Sequence, residues 1–102
     1  MSVAVDGLKV IGYETLDVSS TAVSLTQSKY DRVPPARGAY FTVDTAPIRF
    51  TEDGTTPTAT EGHFIIPTDP PRFIARANLP TAQFIRQSSS DAKVRVNYVG
   101  TG

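Results

Sequence analysis

Ten basic and ten acidic side chains scattered over 102 residues give a formal net charge of zero, which leaves no basic footprint for nucleic acid. The chain contains no cysteine, so disulfides and thiolate chemistry are excluded. The length fits one domain, residues 1–102, burying roughly 60–70% of its unfolded surface, and an apolar fraction of 39% makes its core thin.

The chain begins Met1-Ser-Val-Ala-Val-Asp6, without the basic start and continuous apolar run of a signal peptide. Residues 1–6 are too short and polar-flanked to be core and read as a flexible arm that orders against a neighbour. Strand signals then follow one another: Leu8–Leu16, rich in β-formers, and Ala22–Thr26, which alternates cleanly. Gly38–Asp44 and Pro47–Thr51 come next. Pro47 cannot donate a ladder hydrogen bond, so the chain must bend, bulge or lie on an edge there. His63–Ile66, Arg72–Arg76, Ala82–Arg86 and Lys93–Val99 complete eight candidate strands.

Turn chemistry fills the gaps. Asp53-Gly54 suits a turn in which glycine takes a positive φ. The proline pairs Pro34-Pro35 and Pro70-Pro71, with Pro57 and Pro67, suit rigid connections that lose little entropy on docking. No segment offers a helical apolar stripe, and no apolar run approaches the roughly 20 residues that span a bilayer. Short strands at this spacing predict an all-β, antiparallel sandwich or jelly roll. Alternation assigns Val23, Leu25, Phe41, Val43, Ile48, Phe50, Ile65, Phe73, Phe84, Val94, Val96 and Tyr98 to the inside.

The run Val43-Asp-Thr-Ala-Pro-Ile-Arg-Phe-Thr-Glu-Asp-Gly-Thr-Thr-Pro-Thr-Ala-Thr-Glu-Gly-His63 carries a resemblance, together with Phe84-Ile-Arg86 and Asp91-Ala-Lys-Val-Arg-Val-Asn-Tyr98. These pieces, over roughly residues 40 to 99, resemble a pattern in small structural proteins encoded among the virion genes of tailed bacteriophages. The Pro67-Thr-Asp-Pro-Pro71 segment departs from that pattern, which has a plainer strand there. The resemblance implies a non-enzymatic virion part, made in the host cytoplasm and carried in the particle. Capsid decoration, or cement, is the leading role, with the major capsid protein or another virion protein as partner. A neck or tail component is the alternative, and a small carbohydrate- or receptor-binding module is the alternative from another class.

Candidate chemistry is sparse. His63 is the single histidine, and with no cysteine beside it a catalytic zinc would lack its usual three protein ligands. It reads as a strand-start imidazole. Glu52, Asp53 and Glu61 offer oxygens for calcium, but their spacing differs from a D-x-D-x-D loop, so a solvated acidic loop is the simpler reading. Ser88, Ser89 and Ser90 form a polar turn without nucleophile-elbow context. No catalytic residue, metal or cofactor is therefore expected. Tyr13, Tyr30 and Tyr40 are the available platforms for sugar stacking, and Tyr40 is assigned to a rim or subunit contact. Arg72, Arg76 and Arg86 alternate with apolar residues and are expected on one outward face, as solubilising charge or as a dock for an acidic partner. The expected partner-binding set is Tyr40, Arg72 and Arg76 with the loop from Asp53 to Glu61, on a homo-oligomer without nucleic-acid or membrane contacts.

Overall fold

Two groups of half-apolar strands can bury their inner sides only against each other. The computed structural model, which describes residues 8–101, has that arrangement. Strands form at all eight expected places: β1 (Lys9–Val18), β2 (Val23–Ser24), β3 (Gly38–Asp44), β4 (Ile48–Thr51), β5 (His63–Ile65), β6 (Arg72–Ala75), β7 (Gln83–Arg86) and β8 (Ala92–Gly100). Two short helical pieces were not expected, α1 (Gln27–Tyr30) and a 3-10 turn at Arg76–Asn78. Neither buries a residue, so neither leaves an apolar stripe to read. The arm proposed at residues 1–6 lies outside the described residues. Among the described residues no helix is long and apolar enough to cross a membrane.

The first sheet has the order β1-β8-β3-β6 and the second β2-β7-β4-β5, with every pair antiparallel. β1 pairs with β8, β2 with β7, β3 with β6 and β4 with β5, as in one long hairpin whose tip is the segment between β4 and β5. That hairpin is wrapped over so that β8 also meets β3 and β7 meets β4, which is the jelly-roll connection. Pro47 marks the place where the chain leaves the first sheet for the second. Thr45 precedes it at φ 83°, a strained conformation for a β-branched residue, and β4 begins at Ile48. The Asp53-Gly54 turn is also as expected, with Gly54 at φ 92°.

The inner faces meet in a triad of rings drawn from both sheets. Phe41 of β3 lies 4.9 Å from Phe50 of β4 and 5.1 Å from Phe84 of β7, and Phe50 and Phe84 stack at 5.1 Å. Val94, Val96 and Tyr98 of β8 complete the floor of this core. Tyr98 is fully buried, and its hydroxyl donates to the Glu14 carboxylate. Glu14 also accepts from the Thr26 backbone N–H at 3.1 Å and the Thr26 hydroxyl at 2.6 Å, which pins the segment after β2 onto β1. Burial, reinforced by the Glu14 carboxylate, pushes the Tyr98 phenol well above its ordinary range.

Most of the expected inner set is buried, and Val23 is partly buried against the core. Phe73 is the correction. It is 44% exposed, and its neighbour Ile74 points inward instead at 0%. The run Arg72-Phe-Ile-Ala75 fits either phase of a strand, and the phase is set by what lies across from it on β3.

Candidate recognition face

The outer side of the first sheet is built as rows running across its strands. The pairings align Tyr13 of β1 with Asn97 of β8, Asn97 with Tyr40 of β3, and Tyr40 with Phe73 of β6. Three aromatic residues thus lie in one row across the whole sheet, with an amide between the two tyrosines. On one side of it runs Val10, Val99, Gly38 and Ala75; on the other, Thr15, Arg95 and Thr42, then Asp17, Lys93 and Asp44. Side chains two apart along a strand share a face, so all four rows look outward.

A bulge makes this alignment possible. The register of β1 shifts between Val10 and Gly12, so Val10 opposite Val99 and Tyr13 opposite Asn97 both face out. Without the extra residue, Gly12 would hold the outward position and Tyr13 would face the core. A bulge re-aims side chains in this way.

Two of the rings lie down on the sheet. A methyl group placed on Gly38 would come within 2.4 Å of Phe73 Cζ and 2.8 Å of Cε1, so the ring occupies the space that a Gly38 side chain would need. A strand glycine of this kind marks close approach of another group, here an aromatic ring covering bare backbone. Tyr13 leans along its strand, with its hydroxyl 3.1 Å from Thr15 Oγ1. Thr15 Oγ1 also accepts from Arg95 Nη1 at 3.0 Å, and Arg95 Nη2 donates to Asp44 Oδ2 at 3.1 Å. The Thr15 hydroxyl, followed by Arg95, lowers the Tyr13 phenol below its ordinary range, and Asp44 raises the Arg95 guanidinium further. Lys93 Nζ meets Asp17 Oδ1 at 2.5 Å. Two cations and two carboxylates therefore cancel within the face.

The outer side of the second sheet is different, because a loop of the chain crosses part of it. Arg49 donates from Nε to the Ala59 carbonyl at 3.3 Å and from Nη1 to the Gly62 carbonyl at 3.1 Å, and its guanidinium lies 5.0 Å from the Phe64 ring. Pro57 is fully buried beneath this loop. Asp53 Oδ1 accepts from the Thr55 N–H at 3.0 Å, which lowers the Asp53 carboxyl. Thr81 Oγ1 donates to the Glu52 carbonyl at 2.5 Å. The polar Thr/Pro loop is thus a knitted cover. Of the large apolar side chains left exposed, Val10, Tyr13 and Phe73 share the first-sheet face, and Phe64 lies beside Arg49 on the second.

The structure scatters the residues expected to bind a partner. Tyr40 sits in the middle of the aromatic row, half-buried among its neighbours. Arg72 shares the inward phase of Ile74, so the expected common outward face of Arg72, Arg76 and Arg86 does not form. The Arg72 guanidinium lies 5.3 Å from the Phe50 ring and pairs with Glu52 at 3.4 Å, while its Nε is buried without a partner. It plugs one end of the sandwich. Arg86 lies opposite Ile48 in the second sheet and pairs with Asp91 at 2.6 Å. Arg76 is exposed in the 3-10 turn, in a small hollow with Tyr30, Asp31 and Leu79. Asp53 and Glu61 do come together, with Glu52 and His63, around an open depression of about 460 Å³. Among the described residues, no three His, Asp or Glu side chains are placed to hold a metal ion.

Sequence reasoning found Tyr13 and Tyr40 singly and missed Phe73, Asn97 and Arg95. Their common face is a matter of register, which depends on the bulge at β1 and on pairings far apart in the chain. The chain matches no protein-family model, no curated protein and no solved structure.

Proposed function

We propose that this chain is a non-enzymatic structural module of a tailed-phage particle, of the capsid decoration or cement type, that presents one sheet face for recognition. One contrast carries the reading: the loop bonds across Arg49 on the outer side of the second sheet and leaves Phe64 as its one large exposed apolar side chain, whereas the outer side of the first sheet carries a row of three aromatic residues. A surface that a small domain leaves apolar, flat and braced by internal ion pairs suits binding. Jelly rolls serve as viral capsid and lectin domains, and that analogy of fold agrees with the resemblance in the sequence.

Seating on the particle then belongs to the rest of the surface: the loop from Asp53 to Glu61, Arg76 and the arm at residues 1–6. The loop is fixed by its own hydrogen bonds and so loses little freedom on docking. Arg72 drops out of this set, since it is committed to Glu52 and Phe50. The partner is the major capsid protein or another virion protein, and the module works as a small homo-oligomer without turnover.

Co-sedimentation with empty shells tests the reading. The parent should pellet with shells, and either deletion of residues 2–6 or Arg76→Ala should weaken this with circular dichroism unchanged. Tyr40→Ala should pellet like the parent. If the parent joins purified tails or connectors in place of shells, the module is a neck or tail component. If it joins none of them, the virion reading fails. A second reading, a small carbohydrate- or receptor-binding module, is favoured by the row of aromatic residues across the first sheet.

A further inference from the structure

We propose that the aromatic row on the outer face of the first sheet binds a neutral, extended, β-linked polysaccharide laid across the strands. The inference rests on the reading of this face as the recognition surface and names what it recognises.

Ring orientation is the first argument. Phe73 lies over Gly38, and Tyr13 is drawn down its strand to Thr15, so both rings lean along the sheet and together form a low apolar platform. The face of a pyranose ring is lined with C–H groups, and it packs on such a platform while its hydroxyls radiate in the ring plane. An anchor for a protein partner normally enters a pocket on that partner, whereas these rings are held against their own sheet by Gly38 and Thr15.

Spacing is the second. Tyr13 and Tyr40 are two strand positions apart, with β8 between them, which places their backbones about 9.5 Å apart. Alternate sugar rings of an extended β-linked chain are separated by a similar length and present the same face. The ring between them would lie over Asn97, whose amide offers both a donor and an acceptor to hydroxyls. Phe73, next to Tyr40 on the edge strand, extends the platform by one more position.

Charge is the third. Arg95 is held by Asp44 and Lys93 by Asp17, so both cations of the rows next to the aromatic row are already paired and offer little to an anionic ligand. The hydrogen-bonding groups next to the row, Thr15, Arg95 and Thr42, suit hydroxyls.

Isothermal titration calorimetry with cellohexaose and chitohexaose tests the proposal on the intact chain. At least one hexasaccharide should bind, its disaccharide should bind more weakly because it reaches only one platform, and maltohexaose, which coils, should bind more weakly too. Tyr13→Ala and Tyr40→Ala should each weaken binding about tenfold, the scale of one lost aromatic contact. The melting temperature of Tyr13→Ala should stay near that of the parent, since its side chain is exposed, and circular dichroism should show both variants folded. Ser89→Ala, in the exposed turn between β7 and β8, should bind like the parent.

No binding of either hexasaccharide at millimolar concentration would overturn the inference, as would unchanged affinity in the Tyr13→Ala/Tyr40→Ala double variant. If that double variant instead loses shell co-sedimentation or self-association, and the parent takes no glycan, the face docks protein. The glycan inference then falls, and the virion reading survives with its seat moved to this face.

Discussion

Phe73 lies in the space that a side chain on Gly38 would fill, at 2.4 Å from where a Gly38 methyl would sit. The two residues are one unit: the glycine supplies the seat, and the ring covers backbone that the glycine leaves bare. Gly38→Ala should therefore destabilise the fold by roughly 1–3 kcal/mol, the scale of overpacking, because the new methyl also meets the Ile74 carbonyl oxygen at 2.9 Å. Phe73→Ala should cost less than truncating a core phenylalanine. In the Gly38→Ala/Phe73→Ala double variant the penalties should fall short of their sum, since each change acts on the same contact. Thermal melts of the four proteins measure this.

Phe84→Ala should be far more damaging, by about 3–5 kcal/mol. Its ring lies 5.1 Å from both Phe41 and Phe50, so removal opens a hole between the two sheets. That loss is a large part of the roughly 5–15 kcal/mol expected of such a domain. Urea unfolding should show a lower midpoint for this variant.

These predictions separate what the sequence discloses from what it conceals. Strand positions were readable because alternation, proline breaks and the Asp53-Gly54 turn are local signals. Even the switch between sheets was foreshadowed by Pro47. The phase of β6 was not readable, because Phe73 and Ile74 are adjacent and both apolar. Only the pairing with β3, which brings Gly38 beside Phe73, decides between them. The aromatic row on the first sheet was hidden for the same reason. Its four strands come from both ends and the middle of the chain, and the bulge in β1 reverses which residues face outward.

Alkaline stability should be governed by Tyr98. Its phenol is raised in the folded state by burial and by Glu14, whereas in the unfolded chain it titrates near 10. The stabilisation is complete below pH 10 and is lost progressively above it, because only the unfolded state releases the proton readily. Tyr98→Phe should be less stable at neutral pH by about 1 kcal/mol, the scale of one net hydrogen bond. It should lose less stability between pH 9 and about 11 than the parent does. Spectrophotometric titration should find Tyr13 ionising below the ordinary phenol range and before Tyr98, since Thr15 and Arg95 favour its phenolate.

On the acid side, Asp91 and Asp53 are both held below their ordinary value of 3.8, Asp91 by Arg86 and Asp53 by the Thr55 amide. Stability from these carboxylates is present above pH 4 and is lost as the pH falls through their folded values. Asp91→Asn should shrink the loss between pH 5 and about 2, and Asp53→Asn should do the same independently. Melting curves across that range check both.

The central claim, that the aromatic row on the outer side of the first sheet binds a neutral β-linked glycan, is tested most directly by an NMR titration of the labelled protein with cellohexaose or chitohexaose. Amide shifts should move at Tyr13, Arg95, Asn97, Tyr40 and Phe73, in saturable fashion, while Asp53, Glu61 and His63 stay still. Shifts confined to the depression around Asp53, Glu61 and His63, or no shifts with either glycan, would contradict it.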